Sequence, residues 1–113
     1  MLDDVASVTL QRALAGLAQR EQVTANNIAN VETPDFTASQ VDFESSLANA
    51  VAAGDPQNAA VNVAPTADAP GQNGNNVSLD REIVTATKTT LQEQLISNAL
   101  SNQFGLLSTV LKG

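Results

Sequence analysis

The sequence predicts a mainly α chain. Two long terminal helices pair in a coiled-coil-like arrangement, and an irregular middle loop with one short helix joins them. Three observations predict this. Leu10, Leu14, Leu17, Glu21, Thr24, Ile28 and Val31 are spaced 4-3-4-3-4-3, a heptad seam with polar residues in its middle. Leu100, Phe104, Leu107 and Leu111 step 4-3-4 near the other end. Between them, Ala52 to Asn76 is rich in Ala, Asn, Gly and Pro and shows no helical period.

Residues 1–30 read as the N-terminal helix, interrupted only by Gly16. Asp3 and Asp4 fall in its first turn, where negative charge suits the positive end of the helix dipole. Residues 31–51 read as a loop and a short helix. Thr33 precedes Pro34, which pushes it out of the α region, and Pro34-Asp35 reads as a turn. Asp42 is the expected N-cap of the short helix, with Phe43, Leu47, Ala50 and Val51 on one face. Residues 52–77 read as a linker, flexible or ordered by a partner. Residues 78–113 read as the C-terminal helix, capped by Asp80 and stapled by Leu79 and Val84. Its apolar set is Leu91, Leu95, Ile96, Ala99, Leu100, Phe104, Leu107 and Leu111. The four segments together make one domain.

Composition removes several classes of function. No cysteine and no histidine occur among the 113 residues, which excludes thiolate or imidazole ligation and histidine catalysis. The net charge is −7 with five scattered basic residues, which argues against nucleic acid or anionic lipid as a partner. No stretch approaches the ~20 apolar residues of a membrane span. The N-terminus "MLDDVASVTL" is acidic and is not expected to act as a cleavable secretory signal.

Carboxylates are the only acid–base candidates. The pairs Asp3/Asp4, Asp42/Glu44 and Asp80/Glu82 fall at expected helix starts and read as caps and dipole partners. "GQNGNN" lacks the lysine of a phosphate loop, and no calcium-loop pattern occurs. The expectation is a non-enzyme with no catalytic residue, metal or cofactor. A thin apolar seam on each helix predicts a chain that consolidates on packing against other copies or relatives.

The asparagines of "NNIANVETPDF" admit two readings. Asn26, Asn27 and Asn30 either fray and cap the helix end or hydrogen-bond to neighbouring subunits, fixing register as a buried seam asparagine does.

"ANNIANVETPDF" (Ala25 to Phe36) resembles the N-terminal signature of the bacterial flagellar axial proteins, a helix ending in N-x-A-N followed by x-x-T-P-G-[Y/F]. Asn27, Ile28, Ala29, Asn30, Thr33, Pro34 and Phe36 fit it. Asp35 stands where the family has Gly, a position implying positive φ that Asp tolerates. "QVDFESSL" and "NNVSLDRE" resemble the segments flanking the variable middle of basal-body rod proteins, most like the B-type proximal members. The final helix fits that type too, lacking the R-x-[Y/F]-x-x-N ending of other rod proteins. The resemblance implies no inserted β-domain. It implies export from the cytoplasm by the flagellar type III apparatus and assembly, by helix packing, into the periplasmic rod of the basal body. Implied partners are copies of itself, other rod proteins, and the adaptor subunit and inner-membrane ring or export gate at the rod base. The residues expected to pack subunits are Leu10, Leu14, Leu17, Asn26, Asn27, Ile28, Asn30, Leu100, Phe104, Leu107 and Leu111. Pro34, Phe36 and Phe43 are expected to anchor the loop.

Two readings compete with a rod subunit. One is a cytoplasmic helical adaptor or secretion chaperone that binds a partner helix through its seam. The other is an acidic muramidase working through a carboxylate pair.

Overall fold

The computed structural model describes residues 2–112, and the side chains of residues 5–103. Helix α1 spans Leu2–Ala29, strand β1 Ser39–Asp42, helix α2 Glu44–Ala52, a 3-10 turn Pro56–Asn58, strand β2 Asn62–Pro65 and helix α3 Leu79–Lys112. The molecule is a rod-like body of 64 × 26 × 14 Å. Its long dimension is set by α1 and α3. They run antiparallel: Asn27 near the end of α1 meets Glu82 at the start of α3, while Leu17 and Ile96 share one cluster further along.

The core is small. Ala13 and Leu17 of α1 pack against Val41 of β1 and Phe43, with Val23, Leu47 and Ile96 around them. Phe43 lies over Gly16, where only a residue without Cβ lets the ring approach the helix.

The α1–α3 seam follows the expected positions only in part. Leu17 and Thr24 of α1 are buried as the heptad predicts, whereas Glu21 between them is exposed and Asn27, outside the heptad positions, is buried. On α3 the residues turned inward are Glu82, Thr89 and Ile96, one per heptad, and Leu100 is partly buried. Leu91 and Leu95, expected in the inward apolar set, are 58 % and 70 % exposed. Leu91 and Leu95 therefore lie on a face turned away from α1, and the inward seam from Glu82 to Thr89 is polar.

Two expected caps shift. Asp42 is the last residue of β1, paired with Asn62, so the N-cap of α2 is Phe43, without a side-chain cap bond. Helix α3 is capped by Ser78 rather than Asp80: its Oγ accepts the Arg81 N–H at 3.4 Å and its carbonyl accepts the Glu82 N–H at 2.9 Å. Asp80 falls inside the first turn beside Glu82, where both suit the dipole. Leu79 and Val84 are exposed, so the expected staple between them is not made.

The segment read as a linker carries the 3-10 turn and β2. Helix α2 ends in a Schellman turn with Gly54 at φ 74°. There the Gly54 N–H donates to the Val51 carbonyl and the Asp55 N–H to the Ala50 carbonyl. Pro56 is buried against the helices. Strand β2 then pairs antiparallel with β1, Val63 facing Val41. The Thr66 N–H extends the ladder to the Ala38 carbonyl at 2.8 Å.

Candidate functional site

The polar chemistry of the chain gathers where the end of α1, the 31–38 loop, β1 and the start of α3 meet. Asparagine carboxamides hold this joint, because one amide group can satisfy a backbone donor and acceptor together. The Asn27 side chain is almost fully buried, at 1 % exposure. Its Nδ2 donates to the Ser39 carbonyl at 2.7 Å and to Glu82 Oε1 at 3.1 Å, and its Oδ1 accepts the Ser39 N–H at 3.0 Å. Helix α1 therefore pairs with the outer edge of β1 as a strand would, and reaches α3 with the proton left over.

Asn75 caps the same helix from the far side of the loop. Its Nδ2 donates to the Asn30 and Thr33 carbonyls, both at 2.8 Å, and its Oδ1 accepts the Val77 N–H at 2.8 Å. Asn76 Oδ1 accepts the Ala38 N–H at 2.7 Å, while its Nδ2 donates to Thr66 Oγ1 and the Asp68 carbonyl. Asn30 caps locally: Nδ2 donates to the Asn26 carbonyl at 2.8 Å, and Oδ1 accepts the Thr33 hydroxyl. Asn26 is exposed.

The turn after α1 keeps the backbone that the motif requires. The Phe36 N–H donates to the Thr33 carbonyl at 3.3 Å, enclosing Pro34 and Asp35, and Asp35 adopts φ 61°. Pro34 followed by a left-handed residue is the pattern of a type II turn. The Asp35 N–H donates to the Asn73 carbonyl at 2.9 Å, and Gly74 lies so close that a Cβ there would stand 3.2 Å from Asp35 Cα.

Arg20 joins three elements. It donates to both oxygens of Glu44, at 2.7 and 2.8 Å, and to the Val41 carbonyl at 2.8 Å, and it lies 4.9 Å from the centroid of Phe43. The hydrogen bond from Arg20 lowers the Glu44 pKa to about 2, and the same bond raises Arg20. Further along the seam Glu93 faces Glu21. That hydrogen bond, with burial and like charge behind it, raises the Glu93 carboxyl above its ordinary range.

Of the residues expected to pack subunits, Leu17 and Asn27 are buried within the chain, and Leu10, Leu14, Ile28, Asn30 and Leu100 are partly buried. The side chains of Phe104, Leu107 and Leu111 lie outside the described residues. Of the loop residues, Phe43 is buried, Phe36 half-buried and Pro34 exposed. Reading the sequence missed Arg20, Asn75 and Asn76, and gave Glu82 as a dipole partner without its bond from Asn27. Arg20 carried a weak signal: it is one of only two cations on α1, with Arg12, in an acidic chain. Asn75 and Asn76 carried none, since they serve residues some 40 positions away in sequence.

Above this joint a cleft of about 370 Å³ opens between α1, β1 and α3, with Glu82, Thr85, Lys88 and Thr89 on its α3 wall. Among the described residues no group of acidic side chains is placed to hold a metal ion, and no helix is long and apolar enough to cross a membrane.

A family described as "Flagella basal body rod protein" matches residues 9–37, the stretch that carries Arg20, Asn27 and the Thr33–Phe36 turn. The flagellar basal body rod protein FlgB of Escherichia coli (strain K12) is 34% identical over 99% of this chain and 98% of its own length. FlgB of Bacillus subtilis (strain 168) is 31% identical over 92% of this chain and 91% of its own. FlgB of Borreliella burgdorferi is 27% identical over 89% and 91%.

Proposed function

Because the chain belongs to the FlgB family of flagellar basal body rod proteins, we propose that it works as a proximal rod subunit. In this reading it is exported by the flagellar type III apparatus and built by helix packing into the drive shaft. The family gives the coarser role, a structural component of the basal-body rod.

One observation carries the finer reading. Ile83, Val84, Leu91 and Leu95 of α3 are all half-exposed or more, on the helix whose inward seam is polar. A helix that turns its large apolar side chains outward gains by covering them with another helix. Neighbouring copies and other rod proteins supply that cover. At the base of the rod the adaptor subunit and the inner-membrane ring or export gate are the further neighbours. The asparagine joint holds each subunit's loop and helices in one geometry, so that the outward face is presented in a fixed register.

The test is deletion of the chain combined with isolation of basal bodies. Loss of rods and of motility, with the wild-type chain found in purified basal bodies, supports the reading. A chain that stays cytoplasmic, bound to another helix, supports the adaptor or chaperone instead.

A further inference from the structure

We infer that Asn73 is a site of spontaneous deamidation, open in the unfolded chain and withheld by the fold. It is the one asparagine of the chain that a glycine follows. In such a pair the backbone nitrogen of the glycine attacks Cγ of the asparagine, because the second residue has no Cβ to hinder the approach. A C–N bond forms, and the side-chain nitrogen leaves as ammonia with the proton that the backbone nitrogen gives up. Water then opens the resulting succinimide at either carbonyl. One opening gives aspartate. The other gives isoaspartate, whose main chain runs through the side-chain carbon and is one methylene longer. Solvent supplies everything the reaction needs.

The folded loop ties down each group that must move. The Gly74 N–H, the nucleophile, donates to the Gly71 carbonyl at 3.0 Å. Asn73 Oδ1, on the carbon to be attacked, accepts the Asn75 N–H at 3.1 Å. The Asn73 carbonyl, which must turn as the ring closes, accepts the Asp35 N–H at 2.9 Å. The Gly71 N–H closes the turn on the Asn75 carbonyl at 2.9 Å. Asn73 is exposed, so water reaches it in the folded chain. Its protection is conformational, and the reaction has to wait for the loop to open.

The two products differ in what they do to the joint. Aspartate keeps an oxygen for the Asn75 N–H. Isoaspartate does not fit. Gly74 lies so close to Asp35 that one added carbon would stand 3.2 Å from Asp35 Cα, and a longer main chain between Asn73 and Gly74 pulls the Gly71–Gly74 bond and the partner of the Asp35 N–H out of register. Asp35 belongs to the turn after α1, and Asn75 caps that helix, so the damage reaches the α1 end. For an exported subunit, as proposed above, time spent unfolded before assembly is time at risk.

The full-length chain is incubated in mildly alkaline buffer across a series of urea concentrations, and peptide mass spectrometry follows conversion at Asn73. Hydrogen exchange at the Asp35 amide, which is bonded to the Asn73 carbonyl, reports the share of molecules with the loop closed. In high urea Asn73 should convert first among the asparagines, and Gly74→Ala should slow it several-fold. As urea is lowered the rate should fall in proportion to the open share. After ageing in urea and refolding, chains with aspartate should regain protection at Asp35, as Asn73→Asp does, whereas chains with isoaspartate should not. Conversion no faster than at the other asparagines, a rate indifferent to the protection of Asp35, or an Asp35 amide that exchanges freely without urea overturns the proposal. Equal protection in both products overturns its consequence for the joint. Each of these leaves the rod-subunit reading untouched.

Discussion

The ring of Phe43 occupies the space directly over Gly16: a Cβ on Gly16 would lie 2.7 Å from Phe43 Cδ2 and nearer still to Cγ. This contact closes the core between α1 and the start of α2, and it explains why a glycine sits in the middle of a long helix. In isolation Gly→Ala in a helix gains about 1 kcal/mol.

Gly16→Ala is therefore expected to act against its propensity. Forcing the ring outward costs about 1–3 kcal/mol, as overpacking does, and the ring also carries the Arg20 contact. Thermal unfolding followed by circular dichroism should show a lower midpoint for Gly16→Ala. Phe43→Leu, harmful alone, should recover part of the loss in the double variant.

Asn27→Asp swaps a donor for an acceptor at a buried point. The new carboxylate cannot donate to the Ser39 carbonyl or to Glu82, and it places a second negative charge against Glu82. Each buried group left unpaired costs roughly 1–3 kcal/mol. The expected outcome is faster amide exchange at Ser39 and Val41 and loss of motility, with part of the stability returning as the pH falls and the new pair takes up a proton.

Asp35→Gly should stabilise. Asp35 holds φ 61°, a conformation that costs a residue with Cβ about 1 kcal/mol and glycine nothing. The gain is checked by the unfolding midpoint. Gly74→Ala is the opposite case: its own φ is 81°, and the added carbon meets Asp35, so it should destabilise.

Acid should move two contacts in opposite directions. The Glu44 pKa is lowered from an ordinary 4.5 to about 2, so its contribution is complete above the ordinary value and is lost as the pH falls toward the folded one. The difference in stability between wild type and Glu44→Gln should shrink across that window, and only modestly, because the carboxylate is 55 % exposed. Glu93 is raised by Glu21. The folded chain therefore binds this proton more readily than the unfolded one, and repulsion across the seam eases on acidification. Glu93→Gln should stabilise at neutral pH and do nothing at low pH.

How far the sequence could be read depended on the distance over which each contact acts. The Leu10–Val31 heptad located α1 and its buried face, because the period is local. Thr33-Pro34 located the turn, and Asp35 kept the left-handed backbone expected of glycine. Leu91 and Leu95 misled, since periodicity reports that a face is apolar without saying what covers it. Strand β2 was invisible because Val63 finds Val41 only after α2 and the 3-10 turn have brought it back. The asparagines gave a choice between capping and pairing with neighbours. Asn30 caps, whereas Asn27 takes neither course: it spends its amide on β1 and Glu82 of its own chain.

The covered edge of β1 has a consequence for life at high local concentration. Unpaired strand edges are what let identical chains stack into amyloid. Here Asn27 and Arg20 occupy one margin of the sheet. The other margin, β2, is four residues long and ends in Pro65, which offers no N–H. Crowded copies of this protein therefore lack the runway for cross-β growth, and their association is left to the helices.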